Sequence, residues 1–182
     1  WMNKENRILS ARDFLYDLIM NSVSQFITGR MFRKELFANN TIHIPRELIM
    51  AEDFIMNIQL GNKATRIALI TDFVYQYYVF DESVSHRFRS SLVYEEKFCK
   101  CLEASVKEGS YYEEVRDALI FQKVRALKTG FMSQKGKVDL HNKFLSTTRK
   151  EAQTISLTRG WKLFLFLMPF KQFGYHILRM VK

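Results

Sequence analysis

The residue pattern changes near residue 88, and this change constrains the fold more than any other feature of the sequence. Before it, short extended and helical patterns alternate; after it, apolar residues recur at helical spacing. The predicted helices of the second part are residues 90–107, 111–129 and 138–153, with breaks at Gly109, Gly130 and Gly136. We therefore expect an α+β chain, with a mixed region over 1–88 and a helical region over 89–182.

The first region begins with a helix signal. Ser10 is a capping residue, Asp13 is its partner three positions later, and apolar residues at helical spacing predict a helix over 11–25. A second helix is predicted over 51–61, ending at Gly61. Short extended segments are predicted over "FITGRMF", "TIHI", "ATRIALI" and "FVYQYYVF".

The charge balance indicates anionic partners. The 182 residues include 28 Lys and Arg against 19 Asp and Glu, which gives a formal net charge of +9. Phosphorylated small molecules, nucleic acid and acidic lipid surfaces all fit such a charge. The cations are scattered, without an RNP, zinc or recognition-helix pattern, so we expect no nucleic-acid partner. With 47% hydrophobic residues, the chain is able to bury a substantial core.

Two features bear on the cellular setting. Cys99 and Cys101 lie two positions apart in a helical pattern, so their side chains diverge by about 200° and are expected to be free thiols. Free thiols are typical of a reducing compartment, here the cytoplasm. The N-terminus has no apolar signal-peptide region and opens in the middle of a helical pattern at Trp1. We therefore expect the chain to be a piece of a longer protein.

The tail over 155–182 is both basic and apolar. It contains no acidic residue, and the apolar run Leu163–Phe170 is far shorter than the roughly 20 residues that a spanning helix needs. One interpretation is an amphipathic segment on the inner face of the plasma membrane, with Trp161 and Tyr175 at headgroup level. The other is a buried terminal helix kinked at Pro169.

An acidic pair, Glu52 and Asp53, opens the second predicted helix of this basic chain. Carboxylates at a helix N-terminus are stabilised by free N–H groups and the helix dipole, by about 0.3–1 kcal/mol. Helix capping therefore explains the pair without any chemistry. The alternative is that one carboxylate is a general base, within reach of a substrate hydroxyl.

The residues around this pair resemble a known family. "GRMFRKELF", "IPRELIMAEDFIMNIQL" and "ITDFVYQYYVFDESVSHRF" are similar, in order and spacing, to the second half of the catalytic domain of family 2 glycosyltransferases, which have the GT-A fold. The resemblance covers roughly residues 10–88. It implies the acceptor-side half of a bacterial sugar transferase that inverts the anomeric configuration and acts in surface polysaccharide synthesis.

The resemblance also implies roles for individual residues. Asp53 would be the catalytic base and Glu52 would orient the loop or touch the acceptor. The implied acceptor contacts are Arg30, Arg33 and Tyr78, and His86 would face the diphosphate or metal. Tyr78 stands where the family motif has Arg, so a phosphate or acceptor contact there departs from the pattern.

The donor half of such an enzyme is missing from this sequence. Family members bind a nucleotide-sugar donor with Mg²⁺ or Mn²⁺ held by an Asp-x-Asp motif, and no Asp-x-Asp occurs here. We expect this fragment alone to be inactive, the acceptor of the parent enzyme to be a glycan or a lipid-linked glycan, and the exposed sheet edge to favour homo-oligomers. The alternative function is a non-catalytic, basic module for membrane surfaces or protein interaction.

Overall fold

The computed structural model describes residues 5–38, 42–72, 74–76, 78 and 88–181. The chain divides into two compact units. One unit comprises Trp1–Phe88 with Lys100–Ala118, and the other comprises Arg89–Cys99 with Leu119–Lys182. The architecture is mixed, largely helical with a small antiparallel sheet, which agrees with the predicted α+β class.

Up to residue 88, the described part of the first unit contains two strands and two α-helices. Its elements in chain order are β1 (Arg7–Ser10), α1 (Ala11–Ile19), a 3-10 helix (Lys34–Phe37), α2 (Glu52–Gly61) and β2 (Arg66–Leu69). The strands pair antiparallel, with Arg7 opposite Leu69 and Ser10 opposite Arg66. Helices α1 and α2 contact each other, and a Cβ added at Gly61 would lie 3.0 Å from the Phe14 ring. Glycine therefore permits a close approach here.

The N-terminus of α1 has the predicted capping arrangement. The backbone N–H of Asp13 donates to Ser10 Oγ over 3.1 Å, and the Ser10 hydroxyl donates to the Asp13 carboxylate over 2.7 Å. The hydrogen bond from Ser10, followed by that from Arg12, lowers the pKa of Asp13. This helix signal is thus confirmed at its start.

Two predictions for the segment after α1 are wrong. The predicted helix over 11–25 ends at Ile19, and Asn21 adopts a left-handed backbone conformation with φ of 63°. Asn tolerates this conformation because its short side chain bonds locally. The predicted strand over "FITGRMF" is a turn and loop, whose polar backbone groups bond to side chains instead of to a second strand.

Of the two strands predicted after α2, one forms. Residues 66–69 of "ATRIALI" are β2, but residues 74–76 and 78 of "FVYQYYVF" are not in a strand. The remaining residues of that segment lie outside the described part of the chain. Residues 74 and 75 instead pack against Gly29, since a Cβ there would lie 3.4 Å from Tyr75 Cβ.

The second half of the chain is helical, as predicted. Its helices are α3 (Leu92–Lys107), α4 (Arg116–Ser133), α5 (Lys143–Glu151), α6 (Arg159–Leu167) and α7 (Lys171–Met180), with 3-10 turns at Ala152–Thr154 and Met168–Phe170. The predicted break at Gly130 is wrong, because α4 continues through it to Ser133. Gly130 meets the backbone of Leu92, 3.0 Å from where its Cβ would lie, so packing explains this glycine.

The core of the second unit is built from large apolar side chains of α4 to α7. Phe131 and Phe164 are fully buried, with ring centroids 5.8 Å apart. Trp161 packs edge-on against Phe121 at 5.2 Å and lies beneath the Lys128 ammonium at 4.7 Å, and Tyr175 is buried. Neither Trp161 nor Tyr175 is therefore placed as an outward aromatic anchor.

The cysteines and the kink in the tail agree with the predictions. Cys99 and Cys101 are not in a disulfide, as expected. The tail bends at the 3-10 turn that contains Pro169, close to the predicted kink. None of the helices in the described part of the chain has the length and apolar character needed to cross a membrane.

Candidate functional site

Asp53 lies in the first turn of α2, where Ala51 is the capping residue and makes no side-chain cap. Its carboxylate Oδ2 accepts a hydrogen bond of 3.1 Å from the backbone N–H of Ile27. That donor lies in the loop after α1, 26 residues earlier in the chain. The Asp53 side chain thus bonds α2 to the loop after α1, and its negative charge is also favourable at a helix N-terminus. Its neighbour Glu52 is exposed.

Arg30 lies in the same loop and turns back onto it. Its Nε donates to the Phe26 carbonyl over 2.9 Å, and its Nη2 donates to the Ser24 carbonyl. The guanidinium also lies over the Phe14 ring, 5.3 Å from the centroid. Burial lowers the pKa of Arg30, and the nearby charge of Asp53 opposes that change. Two of its donors are therefore committed to the protein's own backbone.

The remaining predicted site residues are placed differently. Arg33 is exposed and immediately precedes the 3-10 helix, and Tyr78 is also exposed. Neither residue takes part in the hydrogen bonds described above for Asp53 and Arg30. His86 lies outside the described residues. The structure thus brings together Asp53 and Arg30 around one loop.

Asn57, which lies one turn after Asp53 on α2, was not predicted from the sequence. Asn57 is 1% exposed, and its Nδ2 donates to the Gln25 carbonyl over 3.0 Å. Its Oδ1 is buried without a hydrogen-bond partner among the described residues. The signal that identifies it is a polar residue at a core position of an amphipathic helix, four residues after an acid.

Gln59, another buried polar residue of α2, was not predicted from the sequence either. Its side-chain amide pairs with the backbone N–H of His43 over 3.0 Å and with the carbonyl of His43 over 2.9 Å. Its Nε2 also donates to Ser105 Oγ over 3.1 Å. Asp53, Asn57 and Gln59 thus bond α2 to the loop after α1 and to the segment around His43.

The described residues contain no group of three or more His, Cys, Asp or Glu side chains placed to hold a metal ion. Comparison of the chain with protein-family models, curated proteins and solved structures finds no match.

Proposed function

We propose that this chain is the acceptor-side half of a family 2 glycosyltransferase of the GT-A type, with Asp53 as the general base. The observation that carries this proposal is the anchoring of Asp53. One carboxylate oxygen is held by the Ile27 N–H, and the side chain is only partly buried. Such a carboxylate has a fixed orientation and a second oxygen for a substrate proton, which is what general-base catalysis requires.

In the proposed reaction, the acceptor hydroxyl attacks the anomeric carbon of a nucleotide sugar. Its O–H bond breaks as the new C–O bond forms, and Asp53 takes the proton. The anomeric C–O bond to phosphate breaks on the opposite face, and the nucleoside diphosphate leaves with the electron pair. Attack from the face opposite the leaving group inverts the anomeric centre. A positioned base contributes about 10²–10⁴-fold to such a step.

The other residues take supporting roles. Arg30 and Asn57 hold the loop that carries Ile27 and thereby position Asp53. Glu52, Arg33 and Tyr78 are exposed and are proposed to contact the acceptor. Residues outside this chain would bind the nucleotide sugar and its Mg²⁺ or Mn²⁺. A glycan or lipid-linked acceptor for surface polysaccharide fits the apolar and basic character of the chain.

The test uses the complete product of the gene that encodes this chain. Wild type, Asp53→Asn and the exposed control Glu47→Gln are assayed for nucleoside diphosphate release from a panel of nucleotide sugars, with Mn²⁺ and a membrane extract as the acceptor source. The Asn amide oxygen still accepts from the Ile27 N–H, so Asp53→Asn preserves the tether while removing the base. We expect it to lose about 10²–10⁴-fold in turnover at unchanged Tm.

A different outcome separates the two roles of Asp53. If Asp53→Asn turns over like wild type while Asp53→Ala is destabilised, the carboxylate serves only to hold the loop. No sugar transfer by the wild-type protein with any donor would overturn the proposed function itself. The Glu47→Gln control is expected to match wild type in both measurements.

A further inference from the structure

The outer surface of α6 and α7 carries an aromatic patch, defined here as Phe166, Phe170, Phe173 and Met180. Phe166, Phe170 and Phe173 are 66%, 53% and 67% exposed, and Met180 is 77% exposed. The Phe166 and Phe170 rings are in contact, with centroids 5.9 Å apart. Exposed apolar side chains in contact, such as Phe166 and Phe170, mark an interaction surface, whereas single ones need no explanation.

Helix α7 shows that this exposure is systematic. Its buried positions, Gly174 and Tyr175, lie on one side. At about 100° per residue, Phe173, His176 and Met180 fall on the opposite side, and all three are exposed. A helix at a protein–water boundary normally turns polar residues outward. The outward face of α7 instead carries two large apolar side chains, Phe173 and Met180, beside His176.

The charged residues of α6 and α7 themselves have a single sign. The exposed cations of this segment are Arg159, Lys162, Lys171 and Arg179. No acidic residue follows Glu151 in the sequence. Lys162 lies one turn before Phe166, and Lys171 directly follows Phe170, so positive charge flanks the aromatic rings. A second copy of this chain is a poor partner, since a two-fold contact would bring like charges together.

We propose that the aromatic patch docks on an anionic lipid surface. The Phe side chains enter the boundary between headgroups and acyl chains, about 5–10 Å deep, and the cations pair with lipid phosphates. The residues that contact the headgroup region are therefore these phenylalanines and not Trp161 and Tyr175. The patch belongs to the second unit and Asp53 to the first, and lipid binding does not depend on sugar transfer.

Co-sedimentation of the whole chain with phosphatidylcholine vesicles, with and without phosphatidylglycerol, tests this assignment. We expect binding only to the anionic vesicles and a decrease in binding with added salt. Phe166→Ser with Phe173→Ser should weaken binding at least roughly tenfold, because their apolar area no longer leaves water. Val93→Ser removes an apolar side chain of α3 that is 62% exposed and serves as the matched control.

The charge contribution has its own pair of variants. Lys162→Glu with Lys171→Glu and the control Lys97→Glu with Lys143→Glu change the net charge equally, and all four lysines are exposed. Each cation at an anionic surface contributes about fivefold to binding, so the first pair should lose roughly thirtyfold or more. The control pair should lose much less, because Lys97 belongs to α3 and Lys143 to α5, and neither lysine is part of α6 or α7.

Three outcomes would overturn the assignment. Equal binding to zwitterionic vesicles would show that lipid charge is not required. If the folded wild-type chain binds no vesicles, lipid is not the partner of the patch. Lipid-free self-association in sedimentation velocity that is lost with Phe166→Ser and Phe173→Ser would assign the patch to a second copy. Circular dichroism of every variant establishes that a loss of binding is not a loss of fold.

Discussion

The Gln59 side-chain amide pairs with both backbone polar groups of His43, accepting from its N–H over 3.0 Å and donating to its carbonyl over 2.9 Å. A side chain thus makes the two bonds that a neighbouring strand would make. The same amide also donates to Ser105 Oγ, which lies in α3. One buried residue of α2 therefore satisfies polar groups on two other segments of the first unit.

Replacing Gln59 with Leu should be costly. Leu has a similar volume and no polar atom, so the His43 backbone groups and the Ser105 hydroxyl lose their partner. We expect the free energy of unfolding, measured with urea, to fall by about 2 kcal/mol. The exposed Gln153→Leu serves as the control, and its effect should stay within about 0.5 kcal/mol. Equal effects of the two variants would contradict the assigned role of Gln59.

Two helical glycines should respond to alanine with opposite signs. At Gly160 of α6 an added Cβ meets nothing within 4 Å, so Gly160→Ala should stabilise by about 0.5 kcal/mol through its lower unfolded-state entropy. At Gly130 of α4 the Cβ would lie 3.0–3.1 Å from Leu92 backbone atoms. Overpacking there should exceed the gain in helix propensity, for a net loss of about 1 kcal/mol. Thermal unfolding measures both changes in stability. A change of the same sign in the two variants would contradict the close packing described for Gly130.

These glycines show what could be predicted from the sequence and what could not. The Ser10–Asp13 cap, α2 and the helical second half follow from local spacing, because capping and periodicity act within a few residues. Gly130 has the same local chemistry as a helix breaker, and only its distant neighbour Leu92 explains it. Fold features that depend on long-range contacts are invisible to local patterns.

The candidate site was likewise only partly predictable from the sequence. Asp53 is conspicuous in the sequence because an acidic pair opens an amphipathic helix. Its tether to Ile27 spans 26 residues and has no local signature, and the strand predicted around Gly29 was wrong because side chains satisfy that loop. Arg30 and Arg33 look alike in sequence, yet Arg30 turns inward and Arg33 is exposed.

Glu95 should make stability depend on pH. It is buried in the first turn of α3, and burial raises its pKa above the ordinary value of 4.5, although the hydrogen bond from Ser90 opposes the rise. A carboxyl group with a raised pKa in the folded state contributes stability below its ordinary pKa. That stability is lost as the pH rises through the folded-state pKa.

Glu95→Gln tests this dependence, because the amide oxygen still accepts from Ser90 and carries no charge at any pH. We expect the variant to be more stable than wild type at neutral pH, with the difference disappearing in acid below the ordinary pKa. Urea unfolding at both pH values measures this. The exposed Glu113→Gln is the control, and a constant difference between Glu95→Gln and wild type across the pH range would contradict the linkage.

Arg30 and Arg33 should respond differently to lysine. The Arg30 guanidinium reaches the carbonyls of Ser24 and Phe26 with two different nitrogens, whereas a lysine ammonium is a single point donor that cannot reproduce this fork. We expect Arg30→Lys to lower the free energy of unfolding by about 1.5 kcal/mol, as a bond to a charged donor is lost.

Arg33→Lys is the matched control, because the exposed Arg33 retains its charge and is expected to change stability by less than about 0.5 kcal/mol. Urea unfolding of both variants checks the contrast. Because the Arg30 donors hold the loop that carries Ile27, its replacement should also loosen the Asp53 tether, which amide hydrogen exchange at the Ile27 N–H reports. If Arg30→Lys changes neither the exchange rate at the Ile27 N–H nor the free energy of unfolding, Arg30 does not support this loop. Acceptor binding would then be the better explanation for Arg30.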